Sequence, residues 1–263
     1  MLNPNAIVDH FYQYFKPVLA SNLSLVQHAY RIRCDVYCKE LKFEPDTTSD
    51  FETDDFDHYA QHVLIEHLSS QSHAGCVRLV VPPKNNRDAQ LPLEKYCYEA
   101  LDKSIVDIDS FERGTFGEIS RLAVKSQFRR RSGDSKTPTG APEVKQTNQA
   151  EERRNFPFIA VSLYLSVTAI AKLNEIEHVF VMMEPRLAKH LGMMGITFQQ
   201  IGPVVDYHGR RAPYYINEGI FHKNLPHLAK PFFERVYSDL ADQFSPELSI
   251  HNMSHQRTLT VKK

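Results

Sequence analysis

The chain has 263 residues, enough for one large domain or two small ones, and 42% hydrophobic against 24% charged residues is the balance of an ordinary globular protein. A formal net charge of -1 excludes a global pull toward nucleic acid or membrane, so any electrostatic preference must be local. No run of about 18 apolar residues is present, so no transmembrane helix is expected.

From Asn5 to about Leu19, the positions Ile7, Phe11, Tyr14/Phe15 and Val18 predict an amphipathic helix that Pro17 ends or bends. This N-terminal stretch has neither the basic start nor the continuous apolar region of a secretory signal, and the expected location is cytoplasmic. A second helix is expected from Ser21 or Ser24, either a good N-cap, to about Leu41, with Leu25, Ala29, Ile32 and Val36 on its apolar side. Cys34 and Cys38 lie four apart in it, but no nearby histidine pair completes a metal site. With Cys76 and Cys97 they are expected to be reduced, mostly buried thiols. Seven carboxylates follow between Glu44 and Asp57, with no Lys or Arg among them.

Two strands are predicted at about Ala60–Leu68 and Ala74–Val81, joined by a polar turn. Residues 82–114 read as irregular with a short helix near Leu93–Leu101, and Phe116–Lys125 reads as a strand. Residues 126–155 carry Gly, Pro, Ser, Thr and Gln with almost nothing apolar and are expected to form a mobile excursion. A long apolar helix over Phe156–Leu173, a buried strand over His178–Met183, a helix over Arg186–Met194 and a strand near Thr197–Ile201 come next. Val204–Asp206 and Tyr214–Asn217 flank YHGRRAP, a hairpin or short connection, and a last helix over Leu228–Phe244 is interrupted at Pro231. The expected architecture is one α/β domain over residues 1–245, a mixed and mostly antiparallel central sheet flanked by helices, with residues 246–263 a disordered tail.

Four blocks carry chemistry: Arg33-Cys-Asp-Val-Tyr37, Glu52-Thr-Asp54-Asp-Phe-Asp57, Gly75-Cys-Val-Arg78-Leu and Glu118-Ile-Ser-Arg121. The element order resembles the N-acetyltransferase (GNAT) superfamily. The four blocks, in order, resemble the R-x-x-V-F, E-x-D-x-x-D, G-x-x-R-L and E-x-S-R signature of acyl-homoserine-lactone synthases. The second half, Glu184–Ile216, resembles instead the acyltransferases associated with the PEP-CTERM/exosortase system, which are relatives of N-acyl amino acid synthases. With the first-half blocks, the resemblance spans about residues 5–245. It implies transfer of a fatty acyl group from acyl carrier protein, or from acyl-CoA, to a small amine acceptor, with no tightly bound cofactor. A lactone synthase using S-adenosylmethionine and a non-catalytic module binding acyl carrier protein or lipid are the competing readings.

Acyl transfer from a thioester to an amine needs a neutral amine, a polarised carbonyl and a proton for the leaving thiolate. Glu118 is the first candidate for proton acceptor, because the resemblance places its strand along the thioester. Glu118 and Arg121 are three apart and would face opposite sides of a regular strand, so joint action requires a bulge near Ile119–Leu122. Glu52 and Asp54 are candidates for amine binding or proton relay. Arg33, Arg78 and Asp57 are candidate substrate contacts, against the plainer reading that the arginines staple the acidic loop to the sheet. Glu44, Asp46, Asp50 and Asp55 read as solvated.

Between Lys125 and Arg154 the chain carries eight Lys or Arg against four Asp or Glu. Arg129, Arg130 and Arg131 suit the acidic surface of acyl carrier protein or its phosphopantetheine, and a partnerless basic loop is the plainer alternative. Only Phe128 interleaves with these arginines, which disfavours nucleic-acid binding. The Phe156–Leu173 helix and the HVFVMM strand can line an acyl tunnel or be plain core. His208 and Arg210 can reach an acceptor carboxylate, although a turn-forming His-Gly pair explains the same motif.

Overall fold

The computed structural model describes residues 4–45, 49–129, 156–227 and 229–253. Helix α1 (Pro4–Tyr12) is shorter than predicted, because Phe15–Leu19 forms strand β1 and pairs antiparallel with β2 (Ala60–His67). Pro17 is tolerated there because β1 is an edge strand, where a missing N–H breaks no ladder. Helix α2 (Leu23–Arg33) is capped by Asn22, whose side chain accepts from the Leu25 N–H at 3.0 Å, rather than by Ser21 or Ser24. It continues as π-helical turns through Cys34–Glu40. All four cysteines are free and buried, as expected.

Strands β2, β3 (Ser72–Val80) and β4 (Phe116–Val124) form an antiparallel meander, with the short helix α3 (Pro92–Cys97) in the connection between the last two. Helix α4 (Phe156–Leu173) crosses over to β5 (His178–Met183), which lies parallel to β4. Helix α5 (Pro185–Met193) and the short strands β6 (Gln199–Gln200) and β7 (Val205–Asp206) lead to β8 (Arg210–Asn217). The sheet runs β1-β2-β3-β4-β5-β8-β6, with β7 paired to β8. Helix α6 (Glu218–Asn224) was not predicted, and α7 (Lys230–Gln243) holds Pro231 in its first turn instead of being interrupted by it, since proline fits there.

The expected disordered tail is folded at its start. Residues Ile250–Met253 form α8, where Ile250 is buried and its N–H donates to the Asn174 Oδ1 at 2.8 Å, an anchor that composition does not reveal. Residues 254–263 and most of the predicted excursion, 130–155, lie outside the described residues.

Side chains on one face of the sheet, including Val63, Leu79, Ile119 and Val181, pack with α1, α4 and α7 in the main core. The opposite face holds two smaller cores. Leu64, Cys76 and Ala123 meet α2 and its π-helical extension, while Ala60, Val80, Phe116 and Phe180 pack with Leu91 and Leu93 around α3. Between them a polar row crosses the sheet, with His62 opposite Arg78 and Arg78 opposite Ser120.

Two irregularities open a cleft. The β4–β5 pairing stops at Ile119↔Val181, so the strands part beyond it. The β3–β4 register slips between Cys76↔Ala123 and Arg78↔Ser120, leaving Arg121 and Leu122 opposite Val77 alone. This is the bulge predicted near Ile119–Leu122. Arg121 has φ +51°, a left-handed conformation unusual for a side-chain-bearing residue. Gly75 is required alongside it: a Cβ there would meet the Ala123 carbonyl oxygen at 2.7 Å.

Candidate active site

The acidic segment folds onto the polar row. Arg33 Nε donates to Glu52, and its Nη1 and Nη2 grip both oxygens of Asp57 at 2.6 and 3.1 Å. Arg78 Nη1 reaches Asp54 at 2.5 Å and Asp57 at 2.7 Å, Nη2 reaches Asp54 at 3.0 Å, and Nε donates to the Ser120 Oγ at 3.1 Å. Arg33 and Arg78 are both 0% exposed. Burial opposes charge on Asp57, but the guanidinium groups of Arg78 and Arg33 outweigh it and hold the carboxyl far below its usual range. The same contest leaves Glu52 lowered, chiefly by Arg33 and Arg121, and Asp54 lowered by Arg78. The Asp54–Asp57 spacing is also a capping box: Asp54 accepts from the Phe56 N–H at 3.0 Å, and Asp57 accepts from the Asp54 N–H at 2.9 Å.

The bulge swings Arg121 onto this face. Its Nη2 lies 2.9 Å from Glu44, 3.1 Å from Glu52 and 3.2 Å from Asp54, and its guanidinium sits 5.7 Å from the Tyr37 ring centre. Tyr37, on the π-helical turns, donates its hydroxyl to the Leu122 carbonyl at 2.7 Å and so pins the bulge. Three residues earlier on β4, Glu118 has no ion-pair partner among the described residues. It is 2% exposed, and its Oε2 accepts from the Leu93 N–H at 2.7 Å. Burial pushes its pKa up to about 8, against the lowering effects of the Leu93 N–H and the more distant Arg78 and Arg121.

Glu118 and Arg121 together line a cleft of about 720 Å³, measured out to its open mouth, where β4 and β5 part. The cleft has two halves. Leu122, Tyr164, Val181 and Leu187 form an apolar side that belongs to the α4 face of the sheet. Glu44, Glu118, Tyr207, His208 and Arg211 form a polar side on the opposite face. His208 has φ +50° in the hairpin after β7, and its Nε2 lies 3.8 Å from Glu44. Burial and then Arg211 and Arg121 lower its pKa, against the pull of Glu44.

The predicted residues therefore separate by position. Glu118, Arg121 and His208 reach the cleft. Glu52 and Asp54 touch Arg121 from behind it. Arg33, Arg78 and Asp57, expected as substrate contacts, sit beneath the site in the ion-pair cluster, because each arginine's donors are taken by the acidic segment. Arg210 is exposed and outside the cleft, while its neighbour Arg211 lines it, since alternation along β8 turns only one of the two inward. Arg129, expected to contact acyl carrier protein, is buried and pairs with Glu40. Arg130, Arg131 and Asp46 lie outside the described residues. Asp50 and Asp55 are exposed, as expected. Glu44, read as solvated, instead closes on Arg121 and lines the cleft. Sequence reasoning also missed Tyr164, Tyr207 and Arg211. Only the alternation of RRAPYY carried a signal for the last of these.

Among the described residues no group of three or more His, Cys, Asp or Glu is arranged to hold a metal ion, and no helix is long and apolar enough to cross a membrane.

A bulged strand, a parallel neighbour that splays from it and a cleft between them define the GNAT fold, and residues 32–137 match the family model of an acetyltransferase (GNAT) domain. The chain thus has a GNAT-like fold, and its first half is similar to an acetyltransferase domain. Among solved structures it is similar to FeeM, an N-acyl amino acid synthase from uncultured soil microbes, at 12% identity and TM-score 0.52, over 82% of this chain and 96% of that one. It is similar also to MesI, a CoA-dependent acyl-homoserine lactone synthase, at 19% identity and TM-score 0.52, over 85% and 95% of the two chains. A third is BjaI, a CoA-dependent acyl-homoserine lactone synthase solved with S-adenosylmethionine and isopentyl-CoA, at 16% identity and TM-score 0.52, over 83% and 89%. At these identities the likeness establishes the fold. No curated protein sequence matches the chain.

Proposed function

We propose that the protein is an N-acyltransferase that moves a fatty acyl group from the thioester of acyl carrier protein, or of CoA, to the amine of an amino acid or related small molecule. The observation that carries this reading is Glu118, a buried carboxyl with no ion-pair partner among the described residues and a pKa raised to about 8, at the point where β4 and β5 separate. A carboxyl in that range takes a proton from an ammonium or attacking amine and returns it near neutral pH, which Asp54 or Asp57, clamped by arginines, cannot do.

In the proposed reaction the acceptor nitrogen attacks the thioester carbonyl carbon. The carbonyl oxygen becomes an oxyanion, facing backbone N–H groups that the bulge releases from the ladder. The C–S bond then breaks as the amide forms. The proton lost by nitrogen passes to Glu118, directly or through water, and on to the leaving thiolate. Arg121, held by Glu44, Glu52 and Asp54, keeps positive charge beside the developing anion. The apolar half of the cleft suits the acyl chain. The Glu184–Ile216 resemblance supports a place among the PEP-CTERM/exosortase-associated acyltransferases, and with acyl carrier protein as donor the reaction is cytoplasmic.

The test is mass spectrometry of products formed by purified protein from acyl carrier protein or CoA thioesters and an amino acid panel, alongside lipids of cells expressing it. An amide-linked acyl product is expected. An acyl-homoserine lactone formed only with S-adenosylmethionine would assign the synthase reading, and no product with any donor would leave a binding module.

A further inference from the structure

The cations beneath and beside the cleft are consumed by the acidic segment: Arg33 by Glu52 and Asp57, Arg78 by Asp54 and Asp57, Arg121 by Glu44, Glu52 and Asp54. Arg211 is different. It lines the cleft and, among the described residues, has no carboxylate within ion-pair distance. Its guanidinium lies 5.9 Å from the ring centre of Phe43 and 6.0 Å from that of Tyr207, an arrangement that fixes a planar fork while leaving its donors open. Glu184 also lines the cleft with no basic partner among the described residues, and the two do not pair with each other.

The faces of the sheet decide which substrate meets Arg211. Register pairs Phe180 with Tyr215 and Met182 with Pro213, so Arg211, two residues earlier on β8, shares their face. Glu118, opposite Phe180 on β4, is on that face too. The apolar half that suits an acyl chain belongs to the other face, against α4. A substrate touching Arg211 therefore shares the Glu118 side of the cleft and not the acyl side.

We infer that Arg211 is the carboxylate anchor of the acyl acceptor, which makes the acceptor an amino acid with a free carboxylate, held between Phe43 and Tyr207 with its amine toward Glu118. The inference rests on the acyl-transfer reading above and narrows it. Guanidinium and carboxylate meet as a two-pronged, charge-assisted pair, whereas a carboxamide offers one neutral acceptor and an unmatched donor. Charged hydrogen bonds of this kind correspond to about 10- to 100-fold in binding.

The experiment compares each standard amino acid with its own carboxamide, as acceptors for acyl-CoA and acyl carrier protein thioesters and as ligands in saturation-transfer NMR without donor. The expected result is acylation of acids, with about 10- to 100-fold higher KM for the matched carboxamides. R211M is expected to erase that discrimination by raising acceptor KM while donor KM stays put, and R210M on the exposed neighbour is expected to change neither. Equal use of acids and carboxamides, or an R211M defect confined to donor KM, would overturn the anchor while acyl transfer stands. Carboxylate-selective NMR binding that R211M abolishes, without any acylation, would uphold the anchor and remove the transfer reading. Absence of both binding and acylation overturns both.

Discussion

Glu118 and Arg121 illustrate how one irregular residue reorganises a strand. Without the bulge, Arg121 would point into the α4 core, where a guanidinium has no partner; with it, the side chain joins three carboxylates. Glu118 then remains, among the described residues, without an arginine at ion-pair distance, and burial is the main cause of its high proton affinity. Replacing it as E118Q is expected to lower kcat/KM by roughly 10²- to 10⁴-fold without unfolding the protein. In wild type, kcat/KM should rise with pH along a limb near 8 that reports loss of the Glu118 proton, and that limb should vanish in E118Q. Near-normal turnover by E118Q, or an unchanged limb, would remove the residue from the mechanism. The pairing of Glu118 with Arg121 was legible in the E-x-S-R spacing because parity demands a bulge. The high proton affinity was not, because it depends on Leu93 and the α3 connection covering the carboxyl from 25 positions away.

The acidic segment, the π-helical turns and β3 operate as one element. Arg33 descends from α2, Arg78 rises from β3, and the short turn at Asp55–Tyr59 presents Asp57 to both and Asp54 to Arg78. Removing one partner leaves buried carboxylates uncompensated, so R33M is expected to destabilise the fold by about 3–5 kcal/mol in chemical denaturation. A loss below about 1 kcal/mol would mean that the pairs are as dispensable as surface bridges. The order of blocks along the chain was enough to bring arginines and carboxylates together. It could not separate contact residues from staples, because that division depends on depth: Arg33 and Arg78 are wholly covered, while Arg121 at the bulge reaches the cleft. Glu44 was misjudged for the same reason, since a loop carboxylate reads as solvated until its arginine arrives from 77 positions later.

Stability across pH should carry the signature of both kinds of carboxyl. Glu52, Asp54 and Asp57 have depressed proton affinity when folded, so their contribution is present above the ordinary carboxylate range and is lost as the medium acidifies. Glu118 acts in the opposite sense. Its pKa is about 8 folded against 4.5 for the ordinary group, so its contribution is full below 4.5 and is lost as pH rises through 8. The unfolding free energy of E118Q minus that of wild type is therefore expected to grow by several kcal/mol between pH 4.5 and 8.5, on the order of 4. Taking the difference cancels the histidines that titrate in the same interval, such as His73, which burial lowers to about 4. A flat difference would show that the carboxyl is not held protonated.

Periodicity and turn chemistry were sufficient for most of the framework: β2, β3, β4, α4 and β5 fall within a few residues of where alternation and apolar runs place them. Local signals fail at Phe15–Leu19, whose helical spacing yields to pairing with β2, and at the folded start of the tail, held by Asn174. These outcomes depend on partners distant in the chain, to which a local window is blind. The cleft is the clearest case. Its residues come from the β4 bulge, the parting of β4 and β5, the loop after α2 and the β7–β8 hairpin. Which of Arg210 and Arg211 enters it, and which carboxyl escapes an arginine, are decided by strand register and depth of burial. Composition carries neither, because both are properties of how strands lie beside one another and not of the residues within any one of them.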